Sequence, residues 1–422
     1  MGKSLGGKDK LRWLLAGVFF MIGLIAYMDR ANLAVVAEHM MRDLNMSKVE
    51  FGLLGSLFSL GYALAQVPSG ILAERFGTRI VVALSLVWWS FFTVLTALTP
   101  KYIWLCIVRF LFGIGEAPTY PSNAVFNAYW FQKHEKARAA SALLSGSYFG
   151  PVIAPTLTVF IMLTWSWHMV FYIFGAIGFV IALVWYYMAR SRPEQHPWIS
   201  PNELEMITNQ RSISKDDKNV KAPWRRFIKN GQFWAIGIQY FFVAYMTTMF
   251  MIWLPTYLQE ARGFSLNHMG IAASFPWLAI CLCVLTGGGI SDRLLQQGKS
   301  LMVARGYTAI FGLAIFIVSI YFAAYTDSSW GSVFWLSMAL GSLGLPVVTS
   351  WAVAADKGQE YAGSVSGWMN LWGNLGGVAS PVVCGWFAQN MGWNTALLVN
   401  IVPIAMAIVA WYFIKPDQPI NC

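Results

Sequence analysis

Long uninterrupted apolar runs dominate this sequence, and no other feature in it constrains the fold as tightly. A helix that crosses a bilayer needs about 20 mostly apolar residues. Lipid offers no partner to a bare backbone N–H or C=O, so only helices or closed barrels can cross. The runs here are continuous rather than ten-residue alternations, which selects helices. Twelve spans are expected, at about 13–37, 51–73, 79–98, 102–128, 138–162, 167–189, 232–256, 268–290, 304–325, 331–353, 361–388 and 394–414. Composition agrees. Charged residues make up 11% of the chain, against about 25% in soluble domains, too few to cover a water-exposed surface. The predicted fold class is an all-α integral membrane protein. The first run is too long for the apolar core of a signal peptide and lacks a small-residue cleavage site, so it is expected to remain as span 1.

Orientation follows from basic residues, which stay on the cytoplasmic side of short loops. Of the 29 lysines and arginines, 23 lie in the N-terminus, the even-numbered loops and the C-terminus. Only Arg42, Lys48, Lys101 and Arg262 lie in odd-numbered loops, while Arg30 and Arg109 fall inside spans. Both termini are therefore predicted in the cytoplasm. The same bias, with attraction to anionic lipid, accounts for the net charge of +10 without nucleic acid. Of the five cysteines, Cys281 and Cys283 form the nearest pair, and no His or Cys beside them completes a metal-ligand set. Neither metal nor cofactor is expected.

One long polar stretch interrupts the runs and divides the chain into a six-helix bundle at 1–189, a cytoplasmic linker at 190–231 and a second six-helix bundle at 232–422. A short surface helix is predicted in the linker near Pro201–Arg211, capped by Ser200, with Pro201 at its first position and Glu203 in its first turn. The two bundles repeat a motif. After span 2 comes Gly70-Ile-Leu-Ala-Glu74-Arg75-Phe-Gly77-Thr-Arg79, and after span 8 comes Gly288-Gly-Ile-Ser-Asp292-Arg293. Glycine and charge alone make many cytoplasmic turns. Two copies at matching positions mark two pseudo-symmetric halves, a plan on which many secondary transporters are built.

The Gly-x-x-x-Asp/Glu-Arg-x-Gly-x-Arg signature resembles that of the major facilitator superfamily, although Glu74 stands where aspartate is usual. Three further motifs resemble its anion:cation symporter family. They are Tyr27-Met-Asp29-Arg30-Ala-Asn32 in span 1, Arg109-Phe-Leu-Phe-Gly113-Ile-Gly115-Glu116-Ala-Pro118 in span 4, and Gly367-Trp-Met-Asn370-Leu-Trp-Gly373-Asn374 in span 11. The resemblance implies the major facilitator fold, a bacterial inner-membrane location, and proton-coupled symport of an organic carboxylate such as a hexonate, hexarate or hexuronate. Gly70, Glu74, Arg75, Gly77, Arg79, Asp292 and Arg293 would then form the gating loops.

Ionisable groups at membrane depth are costly and mark function. Four lie well inside spans: Asp29, Arg30, Arg109 and Glu116. Glu116 follows Arg109 by seven residues, two turns further on the same helix face. The four charges sum to zero. If an anion binds an arginine, a carboxylate loses its partner and takes up a proton in the low-dielectric interior. Asp29 and Glu116 are thus candidate proton carriers, Arg30 a candidate grip on the anion, and Arg109 a partner exchanged among the carboxylates and the substrate. A static ion-pair network that locks helices together is the competing reading. Tyr27, Tyr62, Gln239, Thr349, Ser350, Trp351, Asn370 and Asn374 are candidate cavity-lining residues, for which helix–helix packing is the alternative.

The expected partners are a small organic anion, a proton and the bilayer, with the chain working as a monomer. The Met-rich stretch Tyr245–Trp253 offers few hydrogen-bonding groups for a polyhydroxylated ligand. An aromatic or short-chain acid therefore stays open as substrate. Gly146-Ser-Tyr-Phe-Gly150-Pro151 resembles half of a drug/proton antiporter motif, so an exporter stays open too. No nucleophile–base set, metal cluster or phosphate loop is present in the sequence, which argues against an enzyme.

Overall fold

The computed structural model describes residues 10–132, 135–210 and 223–418. The N-terminal residues up to 9, the Ser/Asp/Lys-rich centre of the linker at 211–222 and Cys422 lie outside them. Every regular element among the described residues is helical. The twelve spans are Leu11–Val35, Lys48–Phe76, Thr78–Leu98, Tyr102–Trp130, Lys136–Thr164, Trp167–Met188, Gly231–Glu260, Leu266–Gln296, Met302–Tyr325, Ser329–Gly358, Ala362–Met391 and Trp393–Phe413. Their ends fall within about six residues of those expected, as run length alone allows. Eleven are apolar enough to cross a membrane. Span 11 is 30 residues long but carries many small and polar residues along Gly363–Asn374.

Among the described residues four spans are broken into two helices: spans 1, 4 and 10, and span 12 at Val399–Asn400. Span 1 turns at Val36 and continues as Ala37–Asp43. With the extension, Asp29 lies about 18 positions from Leu11 and about 14 from Asp43, near the middle of this stretch. Span 4 bends at Ala117–Pro118 and span 10 at Leu343, three residues before Pro346. Proline supplies no N–H and its ring crowds the preceding turn, the usual cause of a sharp kink. Spans 4 and 10 occupy the same ordinal place in their halves.

The chain forms two compact units, each drawn from separated segments. One comprises Met1–Asp29, Gly61–Gly150 and His168–Lys218; the other comprises Arg30–Leu60, Pro151–Trp167 and Asn219–Cys422. In the second unit, the first part of span 2 packs on spans 7 and 11. Phe51 meets Trp253 edge-on with ring centroids 5.6 Å apart, and Trp253 Nε1 donates to the Pro381 carbonyl at 2.9 Å. Lys48 pairs with Glu260 at 2.9 Å, and Trp393 Nε1 donates to the same carboxylate.

The linker helix Pro201–Gln210 is built as its sequence predicts, with the Ser200 hydroxyl accepting from the Glu203 N–H at 3.0 Å. It is not a plain surface helix. Glu203 is wholly buried, accepts the backbone N–H groups of Leu11 and Arg12, and pairs with the Arg12 guanidinium at 2.8 Å. Arg12 also pairs with Glu135 at 3.0 Å. A carboxylate at the positive end of span 1 stabilises that end. The C-terminal segment docks comparably in the other unit: the Lys357 ammonium donates to Gln232 Oε1 and the Lys415 carbonyl at 2.6 Å, and Asp417 accepts from the backbone of Leu301 and Met302.

Candidate functional site

Span 4 carries the charged pair. Arg109, at 2% exposure, and Glu116, at 1%, lie on the buried face of the helix Tyr102–Glu116. The guanidinium of Arg109 lies over the Phe112 ring, 4.5 Å from its centroid, a contact that favours a desolvated cation. Glu116 is the last residue before the kink. Side chains bond to backbone carbonyls before and at the bend. Thr119 Oγ1 donates to the Glu116 carbonyl at 2.8 Å, Trp88 Nε1 to Leu111 at 2.8 Å, and the Ser85 hydroxyl to Gly115. Gly115 is required here: a Cβ would stand 2.1 Å from the Trp88 ring. The sequence therefore fixes the backbone at Glu116 while breaking its helix.

Span 1 contributes Asp29, buried at 2% exposure, with Tyr27 half-buried near it. Tyr27 shares a hydrogen bond with Tyr120, whose hydroxyl also lies 2.7 Å from Ser147 Oγ; Tyr62 lies within electrostatic range of the same phenol. The structure thus joins Tyr27 to Tyr120, with Tyr62 in the same neighbourhood. The sequence reading missed Tyr120 and Ser147, because a tyrosine or serine in an apolar span reads equally well as packing. The only available signal was the position of Tyr120 just past the Pro118 kink. Arg30 is half-buried and stacks over Phe58, 4.8 Å from the ring centroid, within the second unit.

The candidates of spans 7, 10 and 11 divide into two kinds. Gln239, Thr349 and Ser350 are fully buried and bond among helices: Ser350 Oγ donates to Gln239 Oε1 at 3.1 Å, Gln239 Nε2 to the Ile236 carbonyl, and Thr349 Oγ1 to the Leu345 carbonyl. Trp351, Asn370 and Asn374 are less covered. Trp351 Nε1 donates to Tyr240 Oη at 2.9 Å with the rings edge to face, and Asn374 Nδ2 donates to the Asn370 carbonyl. Tyr240 is a third residue the sequence did not single out. Among the described residues no group of three or more His, Cys, Asp and Glu side chains could hold a metal.

The repeated motif differs from its expected form as a loop. Gly70 to Phe76 complete the helix of span 2, and Gly288 to Arg293 lie within span 8, since nothing in either stretch breaks a helix. The turn is Gly77 alone, at φ +83°, a conformation that favours glycine. Glu74 and Arg75 are exposed. Arg79 packs on Tyr186, with Cζ 4.3 Å from the ring centroid. In the second copy Asp292 meets Arg305 at 3.2 Å, which also approaches Asp356 at 3.6 Å, and Arg293 is exposed.

Comparison with known proteins gives a consistent result. Residues 19–381 match the family model described as Major Facilitator Superfamily. The chain is 32% identical to the "Probable galactarate/D-glucarate transporter" of Bacillus subtilis, over 97% of this chain and 92% of that protein. It is 30% identical to the "D-galactonate transporter" of Escherichia coli O6:H1, covering 92% and 91% of the two chains. It is 28% identical to the "Probable sulfoacetate transporter" of Cupriavidus necator, covering 96% and 94%. Among solved structures, a bacterial homolog of the human lysosomal transporter Spinster superposes with a TM-score of 0.80 at 19% identity over 99% of both chains. The nucleoside transporter NupG superposes with a TM-score of 0.71 at 16% identity, over 96% of this chain and all of that one.

Proposed function

Because the chain belongs to the major facilitator superfamily, we propose that it is a proton-coupled symporter of an organic carboxylate anion, with a sugar acid as the favoured substrate. The observation that carries this reading is the burial of Asp29, Arg109 and Glu116 inside the spans of a chain whose relatives bear sugar-acid names. Burying a charge is unfavourable unless it is compensated, and a set that includes two carboxylates can exchange its compensation for a proton. In this reading an anion arriving at Arg30 and Arg109 releases Asp29 or Glu116 to bind a proton. Once neutral, the set lets the two six-helix halves rock about the site. The kink gives Glu116 a backbone held by side chains instead of a continuous helix, a place where a change of side-chain partner perturbs little else. Tyr27, Tyr62, Tyr120, Tyr240, Trp351 and Asn370 would supply hydrogen bonds to hydroxyl groups of the substrate. The setting is the bacterial inner membrane, both termini in the cytoplasm, with no cofactor.

A short-chain acid is the second reading. It is favoured by the sulfoacetate name of one relative and by Met246, Met249 and Met251, all buried in span 7. The test is uptake into proteoliposomes of labelled galactonate, glucarate, glucuronate and sulfoacetate, each with and without an inward proton gradient. Accumulation of a sugar acid that requires the gradient is expected. Accumulation of sulfoacetate alone selects the second reading. No accumulation of any acid, with proton release on adding a cationic drug, would overturn symport in favour of antiport export.

A further inference from the structure

Spans 3 and 6 leave a groove on their exposed faces, lined by none of the residues proposed to bind substrate or proton. It encloses about 200 Å³. Ala83 and Ala182 form a buried floor, while Ile80, Leu84 and Leu183 form exposed walls, and Tyr186 closes one end. The small floor residues make the hollow. From Ile80 to Val87 it follows about 10 Å of helix.

What lies at the Tyr186 end identifies an occupant. Arg79 is fixed there on three sides: its Nε donates to the Tyr186 carbonyl at 2.9 Å, its guanidinium stacks on the Tyr186 ring, and its backbone N–H donates to Ser191 Oγ at 3.2 Å. Its two terminal nitrogens make no hydrogen bond to the protein among the described residues. Arg190 spends one nitrogen on the carbonyls of Tyr187 and Ala189, and Arg192 stacks over Tyr129. Arg75 in the last turn of span 2 and Arg190 and Arg192 just past span 6 add basic charge at this end, with Glu74 and Glu194 in the same stretches. An immobilised guanidinium with an open fork matches a phosphate diester. An apolar hollow of this length beside it matches the acyl chain carried by that phosphate.

We propose that this groove is a binding site for one phospholipid with a net negative headgroup, the phosphate on the open fork of Arg79 and an acyl chain over Ala83 and Ala182. The site is independent of the transported substrate. A free phosphate would have no use for the groove, and a zwitterionic lipid would bring its own cation against the arginines.

The experiment is native mass spectrometry of the purified, delipidated full chain, given equal amounts of phosphatidylglycerol and phosphatidylcholine. The first lipid retained is expected to be phosphatidylglycerol, by at least fivefold over phosphatidylcholine. Arg79→Gln is expected to bring that ratio near one. Leu84→Trp, which fills the groove from a lipid-facing position and leaves Arg79 in place, is expected to reduce the single-lipid adduct at least threefold. Should Arg79→Gln fail to fold, Leu84→Trp decides the matter by itself. Equal retention of the two lipids by the unmodified protein would overturn the proposal, as would retention unchanged by Leu84→Trp.

Discussion

The six spans before the linker and the six after it bury polar groups of different kinds. Spans 1 and 4 enclose Asp29, Arg109 and Glu116 at 2% exposure or less, whereas spans 7 and 10 enclose Gln239, Thr349 and Ser350. The neutral groups are satisfied within and between neighbouring helices. A buried neutral group needs only a hydrogen bond to be stable, but a buried charge needs a counter-charge, which a substrate or a proton can replace. The two halves share a motif and an interrupted fourth span, yet among the described residues only the first holds carboxylates well inside its spans. On the proposed reading, coupling to the proton therefore belongs to the first half, while the second half contributes only neutral groups to the substrate.

Glu116→Gln should separate these roles most sharply. The amide imitates a protonated carboxylate, so gradient-driven accumulation is expected to fall to the level of empty liposomes. Binding of the acid, read by isothermal calorimetry, should persist. Full accumulation would break the comparison at its strongest point. Arg109→Lys comes next. Lysine keeps the charge but loses the planar fork and its stacking on Phe112, so a tenfold or greater rise in the apparent KM is expected. Charge-assisted bonds contribute about 1.5–3 kcal/mol, and each 1.4 kcal/mol is about tenfold.

On the other side, Trp351→Phe removes the indole donor to Tyr240 and keeps an aromatic ring. One neutral hydrogen bond is worth about 1 kcal/mol, so the acid that is preferred should change by a few-fold in apparent KM while coupling to the proton is kept. A loss of coupling in this variant would erase the distinction between the halves. The smallest effect is expected at His196 in the linker. Burial pushes its pKa below the ordinary imidazole value, so the folded protein favours the neutral ring. Its stabilising effect is complete above about pH 6.5 and declines as pH falls below that. Thermal unfolding in detergent should show a shallower acid decline for His196→Gln.

How much of this could be read from the sequence depends on whether a feature has a second explanation. Spans were legible because about 20 apolar residues admit few other uses. The charges at 29, 109 and 116 were legible because lipid makes each of them costly. Kinks were not: Pro68, Pro151, Pro155, Pro255, Pro276 and Pro381 all lie inside continuous helices, while Pro118 follows a break. Proline alone does not decide, and the hydrogen bonds of Ser85 and Trp88 to the span 4 backbone come from another helix. Glu203 read as a first-turn residue of a surface helix and Lys357 as one of the loop charges, and their burial depends on Arg12 and on the docked Lys415 and Gln418 carbonyls. Tyr120 and Tyr240 were illegible for a plainer reason, since a tyrosine in a span anchors, packs or binds with equal ease.

The most direct test of the division of roles is proton movement driven by the anion alone. Proteoliposomes enclosing a pH-sensitive dye would be given an inward gradient of the transported acid and no imposed pH difference. The account predicts that the lumen acidifies with the unmodified protein and with Trp351→Phe, and that it stays at its starting pH with Glu116→Gln. Acidification by Glu116→Gln at the unmodified rate would contradict it.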